Sequence, residues 1–181
     1  MVATTAGAAA QPTLVTIYRP YSGAKVAPSL KIARTAKGEC FSGSLADSRR
    51  DAWRCEIGSQ ISDPCFSSPA VASWVLCPED GTPFGTTVVR LALSKSLPRS
   101  LGNKGSPGQG NPWTVRLASG KVCTFLTGAT SAYHGDRVNY GCDRKTFLAG
   151  SPDRSHALWT ITLGTGPKSA PRHAAIAEAA W

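Results

Sequence analysis

Residues 113–126 read WTVRLASGKVCTFL, and this stretch decides the fold class more clearly than any other. Two runs of β-branched and apolar residues flank Ser119-Gly120, a pair with the composition of a tight turn. Side chains alternate between the two faces of a strand. Three residues of the first run therefore share one face: Trp113, Val115 and Leu117. The stretch predicts a β-hairpin.

Similar runs recur at short intervals along the chain, with Gly, Pro and Asp turn signals between them. They cover residues 14–18, 30–33, 72–76, 86–93, 138–142 and 157–163. Several short strands at such spacing predict an all-β domain, either a small sandwich or a barrel. Alternation of side chains does not distinguish these two architectures.

One segment departs from the strand pattern. In residues 44–54, Ser44 can cap a helix, and Leu45, Ala52 and Trp53 share one side at helical spacing. We therefore expect one short helix there. The tail, residues 173–181, is ambiguous, because its alanines favour a helix while their alternation with Ile176 and Glu178 also suits a strand.

The chain of 181 residues fits a single domain. The small residues before Gln11 resemble the end of a signal peptide, so residues 1–11 are interpreted as a signal-peptide remnant or a flexible head. Residues 12–181 then form one disulfide-bonded, β-rich domain. No stretch approaches 18 uninterrupted apolar residues, which predicts no membrane-spanning helix.

An even number of cysteines in a small Gly- and Pro-rich chain predicts three disulfides and an oxidising compartment. The six are Cys40, Cys55, Cys65, Cys77, Cys123 and Cys142. Because short loops close at lower entropic cost, sequence neighbours are the preferred partners: Cys40–Cys55, Cys65–Cys77 and Cys123–Cys142. The crossed alternative, Cys40–Cys65 with Cys55–Cys77, stays open.

The sequence predicts neither a metal nor a cofactor. The closest cysteines are ten residues apart, and the three histidines lack the spacing of a zinc knuckle. No phosphate-binding glycine loop, G-x-S-x-G or H-E-x-x-H motif is present.

Charge is the main functional signal. The net charge is +9, and residues 81–181 carry 12 basic and 4 acidic side chains, against 8 and 7 in residues 1–80. A basic half attracts an anionic surface or polymer, with nucleic acid among the candidates. We therefore expect a binding module, whose oligomeric state the sequence leaves open. Six residues are candidate ligand contacts: Trp113, Lys104, Arg116, Arg137, Arg144 and Lys145.

A second hypothesis is a small secreted hydrolase of a phosphodiester or a polysaccharide. Histidine near aspartate can act as an oriented general base. Its candidate residues are His134, Asp136, Asp153 and His156. The alternative for this cluster is a polar, solvent-exposed loop, and whether the protein is an enzyme stays open.

A third hypothesis is an inhibitor of a secreted enzyme. Residues 98–112, PRSLGNKGSPGQGNP, are rich in Gly and Pro and predict a mobile, basic loop. Such a loop can be presented to a partner, or can simply connect two strands.

The segment from Cys40 to Cys77, with DAWRC at 51–55 and DPCF at 63–66, resembles a group of uncharacterised secreted bacterial proteins. The N-Y-x-C motif at 139–142 and the PDRS turn at 152–155 before Trp159 share this likeness, which spans most of residues 14–163. The resemblance implies export to an extracellular, periplasmic or cell-envelope location and a six-cysteine β-rich domain. It assigns no catalytic residue.

Overall fold

The computed structural model describes residues 11–98 and 102–181, and every regular element in them is a β-strand. The predicted head, residues 1–11, lies outside the described residues except for Gln11. The strands of the first half are β1 (Leu14–Thr16), β2 (Tyr21–Ser22), β3 (Lys25–Val26), β4 (Lys31–Gly43), β5 (Ala52–Ile57), β6 (Gln60–Ser68), β7 (Val71–Pro78) and β8 (Thr87–Leu93). Those of the second half are β9 (Thr114–Leu117), β10 (Val122–Phe125), β11 (Ala132–Tyr133), β12 (Asp136–Gly141), β13 (Phe147–Asp153), β14 (Trp159–Gly164) and β15 (Arg172–Ala180).

Strands β4 to β8 form a closed barrel, called here the first barrel. Sequence neighbours pair antiparallel, and a parallel pairing of β4 with β8 closes the ring. The first half of β4 pairs with β8 and its second half with β5, so β4 is shared between two neighbours. Of the two architectures predicted from the sequence, the structure therefore has the barrel.

The second barrel consists of β9, β10, β12, β13, β14 and β15. Its ring closes because β15 pairs with β14 and also with β9. The hairpin predicted at 113–126 is confirmed as β9 and β10, with Val115 opposite Cys123 and with Val115 and Leu117 buried inside the ring. Strand β1 adds to β15 in parallel, so the N-terminal strand belongs to the barrel formed by the end of the chain.

Three disulfides are present, with the sequence-neighbour pairing that the short loops favour, and the crossed alternative is excluded. Two join adjacent antiparallel strands, and the third joins β10 to the residue that follows β12. The Cα–Cα distances are 3.8 Å for Cys40–Cys55, 4.2 Å for Cys65–Cys77 and 4.0 Å for Cys123–Cys142. Strand pairing itself brings these cysteines together, because residues that face each other across a ladder are close neighbours.

The helix expected at 44–54 is wrong, although its capping interaction forms. The Ser44 hydroxyl accepts hydrogen bonds from the backbone N–H groups of Ala46 and Asp47. The chain then enters β5, where Ala52 packs at the junction between the barrels and Trp53 packs inside the first barrel. A strand buried on both faces has adjacent apolar residues, such as Ala52 and Trp53, and their spacing resembles that of a helical face.

Two other regions, the tail and residues 150–153, form parts of strands. The tail forms β15, where its small alanines lie between close neighbouring strands. Residues 150–153, whose Gly, Ser, Pro and Asp are typical of a turn, lie within β13, where the register shifts between Ala149 and Asp153 and Gly150 has a φ of 71°. A glycine with positive φ is typical of a β-bulge, which kinks a strand without ending it.

The two barrels share a buried aromatic cluster. It joins Tyr18, Phe66 and Trp113, and the Arg49 guanidinium lies 4.3 Å from the centre of the Phe66 ring. Arg49 Nη1 donates to the Tyr18 carbonyl at 2.7 Å, and Nε lies 3.2 Å from a carboxylate oxygen of buried Asp47. Arg49 therefore ties the first barrel to the segment that leads out of β1.

The Gly- and Pro-rich connection between the barrels differs from the expected mobile loop over residues 102–112; residues 99–101 lie outside the described range. The Asn103 amide donates to the carbonyls of Ser44 and Asp47, at 2.8 and 2.7 Å. Further along, Trp181 Nε1 donates to a loop carbonyl, that of Gln109, at 3.1 Å. These bonds hold the connection against both barrels.

Candidate functional site

Three connections meet at one end of the second barrel. They are residues 118–121 between β9 and β10, 142–146 between β12 and β13, and 165–171 between β14 and β15. The strand register places them together, because Gly141 pairs with both Thr124 and Phe147, and Phe147 pairs with Gly164. This end of the barrel is called here the basic end, and it also includes the first residues of β15.

The basic end concentrates positive charge. Residues 118–121, 142–146 and 165–173 contain one carboxylate, Asp143. All of the five basic side chains except that of Lys121, which is partly buried, are exposed. The five are Lys121, Arg144, Lys145, Lys168 and Arg172.

Asp143 shapes the connection that carries Arg144 and Lys145. Its Oδ1 accepts the backbone N–H groups of Lys145 and Thr146, at 2.8 and 2.7 Å, and its Oδ2 accepts a hydrogen bond from the Lys121 ammonium. The hydrogen bond from Lys121, followed by those from the backbone, lowers the pKa of Asp143 far below its usual range. Asp143 thus stays ionised and is compensated by Lys121.

The basic side chains next to Asp143 are available to a ligand. Within residues 11–98 and 102–181, neither Arg144 nor Lys145 forms an ion pair. The Cys123–Cys142 disulfide fixes the start of this connection to the neighbouring strand. Two exposed cations therefore stand on a covalently anchored turn.

Two other predicted ligand contacts are engaged within the protein. Arg116 lies 3.3 Å from the Glu178 carboxylate and stacks on the Phe84 ring at 4.2 Å. Arg137 donates to the carbonyls of Leu126 and Gly128, both at 2.9 Å, which fixes the loop after β10.

The remaining two candidates lie elsewhere. Trp113 is only 1% exposed and packs in the cluster between the barrels, so the expectation that it is an exposed contact is wrong. Trp113 lies at the start of the hairpin, where both it and the following residue, Thr114, are buried. Lys104 is exposed in the connection between the barrels, away from the basic end.

The four residues of the hydrolase hypothesis lie in or directly beside two connections. His134 and Gly135 form the turn between β11 and β12, with φ values of 49° and 92°, and Asp136 follows it. Asp153 ends β13, and His156 lies in the next connection. In the part of the chain that the structure describes, neither imidazole is hydrogen-bonded to either carboxylate; His134 Nε2 is 3.2 Å from the Ser169 carbonyl.

The surroundings of Asp153 make it a weak candidate for a general base. Hydrogen bonds from Ser155, aided by the nearby His156 and His173, lower the pKa of Asp153. A lower pKa makes a carboxylate a weaker base. Four cavities at the junction and around the first barrel, with volumes of about 250 to 470 Å³, have none of the four residues in their walls.

Neither a family model, nor a curated protein, nor a solved structure matches the chain. No group of three His, Cys, Asp or Glu side chains within residues 11–98 and 102–181 is arranged to hold a metal ion. Over the same residues, no helix has the length and apolar character needed to cross a membrane.

Sequence reasoning found Arg144 and Lys145 but missed their partners at the basic end: Lys121, Lys168 and Arg172. Lys121 and Lys168 belong to two separate connections and Arg172 starts β15, so no local run of charge joins them to Arg144 and Lys145. The only signal in the sequence was the general excess of basic residues after residue 80.

Proposed function

We propose that the protein is a non-catalytic binding module that holds an anionic polymer at the basic end, outside the cell or in the cell envelope. The observation that carries this proposal is that the strand register brings five basic side chains, from three connections and the first residue of β15, to one end of the barrel with a single carboxylate among them. Binding residues often lie on loops that a rigid scaffold positions, as these do.

The physical basis is electrostatic. Cations grouped at one end of a barrel produce a local positive potential that concentrates a polyanion and releases its counterions on binding. A polymer with repeated phosphate or carboxylate groups can contact several of these side chains at once. Such an interaction depends on charge spacing and needs no enclosed cavity.

The proposed location follows from the covalent chemistry. Three disulfides cross-link neighbouring segments of the two barrels. Disulfides persist in oxidising compartments and are rare where thiols are kept reduced. An extracellular or cell-envelope module meets anionic polymers there, and the cross-links keep its loops in place.

Two triple variants with equal charge changes test the proposal. The first removes three charges from the basic end: Arg144→Gln, Lys145→Gln and Arg172→Gln. The matched control removes three exposed charges elsewhere: Lys25→Gln, Arg50→Gln and Lys104→Gln. Binding of fluorescent polyphosphate, polygalacturonate and single-stranded DNA is measured as a function of salt concentration.

We expect the first variant to bind its preferred polymer about tenfold more weakly at low salt, with a salt slope reduced by about one unit per lost contact. The control should retain most of the binding, and the polymer should be recovered at its original length. Equal losses in the two variants would show that net charge alone attracts the polymer, and would contradict a defined site.

A further inference from the structure

The first barrel has an unpaired strand edge. Residues 31–38 of β4 pair with β8, from Lys31 opposite Thr87 to Gly38 opposite Leu93. On the other side of β4, β5 begins to pair only at Gly38, which faces Ile57. Over residues 31–37, called here the free edge, no strand among the described residues covers that second side.

The free edge is long enough to receive another strand. Seven extended residues span about 23 Å. Alternate backbone N–H and C=O groups along such an edge point away from the paired neighbour, and they are a template for a further chain. The disulfide at Cys40 fixes β4 to β5 just beyond this segment, so the edge is held in its extended form.

The side chains of the free edge select the charge of its partner. Lys31, Arg34 and Lys37 are all exposed, and the segment contains no acidic residue. Ile32 is 42% exposed and offers an apolar contact between the charges. Two copies of this edge would repel each other, which disfavours pairing of the protein with itself.

We infer that the free edge binds an acidic, extended segment of another polypeptide, which adds to β4 as an extra strand. The main chain of the partner supplies hydrogen bonds, and its carboxylates lie beside Lys31 and Arg34 on one face of the sheet or beside Lys37 on the other. This surface lies on the first barrel and requires peptide groups in the ligand. It is therefore separate from the basic end, which requires only repeated anions.

Peptides with controlled hydrogen bonding test this inference. The probe is an eight-residue peptide of alternating glutamate and valine. Two control peptides have the same sequence with N-methyl groups on alternate amides, in complementary patterns. Binding is measured by fluorescence anisotropy, and protection of the amides of residues 31–37 is measured by hydrogen exchange.

We expect the unmodified peptide to bind and to protect residues 31–37. Only one methylation pattern should abolish binding, by at least about tenfold, because only alternate amides of an added strand face its neighbour. The Arg34→Gln/Lys37→Gln variant should bind the peptide more weakly, while the triple variant of the basic end binds it as the unmodified protein does.

Three results would overturn the inference. Equal binding of the two methylated peptides would indicate charge attraction without strand addition. Binding without protection of residues 31–37 would place the peptide elsewhere. Protection that rises with protein concentration in the absence of peptide would show that a second copy of the chain occupies the edge.

Discussion

The two barrels are stabilised by different means. The first is built from β4 to β8, contains two of the three disulfides, and has four half-cystines among the eight residues of its buried cluster. The second has one disulfide and a core of larger side chains, with Tyr140, Leu148 and Trp181 among them. Where a ring encloses little apolar volume, covalent links supply stability that packing cannot.

The barrels also differ in charge. Residues 31–93 carry seven basic and seven acidic side chains, whereas residues 114–181 carry eight and four. The first barrel buries one of its acidic groups, Asp47, and uses Arg49 to compensate it. The second leaves its excess cations exposed at its basic end. Charge is therefore buried and compensated at the junction, and mostly exposed at the far end of the second barrel.

The largest effect is expected where the two barrels meet. Arg49→Met should lower the free energy of unfolding by about 4 kcal/mol, because it leaves the buried carboxylate of Asp47 without its partner. Denaturant unfolding followed by tryptophan fluorescence measures this loss. The double variant Asp47→Asn/Arg49→Met should recover much of it. If Arg49→Met alone costs less than 1 kcal/mol, the junction does not join the barrels as described.

A comparison of disulfides tests how far each barrel depends on its cross-links. Cys65→Ala/Cys77→Ala should cost about 3 kcal/mol and Cys123→Ala/Cys142→Ala about 2 kcal/mol, both measured by denaturant unfolding. The first pair is completely buried in the smaller core, whereas Cys142 is only partly buried. Loop length alone predicts the reverse order, since the cysteines are 12 residues apart in Cys65–Cys77 and 19 apart in Cys123–Cys142. The reverse order would mean that the entropy of the unfolded chain, and not core packing, determines how much stability each disulfide contributes.

Acid should affect the two barrels in opposite directions. Burial raises the pKa of Asp63 in the first barrel above its ordinary value of 3.8, despite hydrogen bonds from Ser44 and Leu45. Its folded form binds protons more readily than its unfolded form, so this group adds stability as the pH falls toward 3.8. Asp143 has a lowered pKa, so its contribution is lost as the pH falls through 3.8 and below.

Two single variants isolate these contributions. Relative to Asp63→Asn, the unmodified protein should gain stability between pH 7 and pH 4. Relative to Asp143→Asn, it should lose stability below about pH 4. Urea unfolding over this pH range measures both differences. Parallel curves for a variant and the unmodified protein would show that the carboxyl has the same pKa in both states.

The smallest effect concerns the turn between β11 and β12. His134→Val should cost about 1 kcal/mol, because a β-branched residue adopts a positive φ with strain. His134→Gly and His134→Asn should be nearly neutral. Thermal unfolding of the three variants checks this order. Equal stability of the valine and glycine variants would show that the turn relaxes and does not require its positive φ.

Much of the strand pattern and all three disulfide pairings could be predicted from the sequence. The hairpin at 113–126 contains its own turn and its own alternation, so its information is local. The cysteine pairs are close in sequence and lie on adjacent strands, which makes the shortest loops the correct ones. The segment around Ala52 and Trp53 could not be assigned this way, since its two buried faces serve two different packing partners.

The sequence by itself determined that this chain forms strands, where most of them lie, and which cysteines join them, because these properties depend on residues near one another along the chain. Only the tertiary structure decided that the strands close into two rings, that Trp113 is buried between them, and that Lys121, Arg144 and Arg172 lie at one end of the second barrel. Those relations depend on strand order and register. Both are set by packing between segments far apart in the chain, which no local pattern of residues encodes.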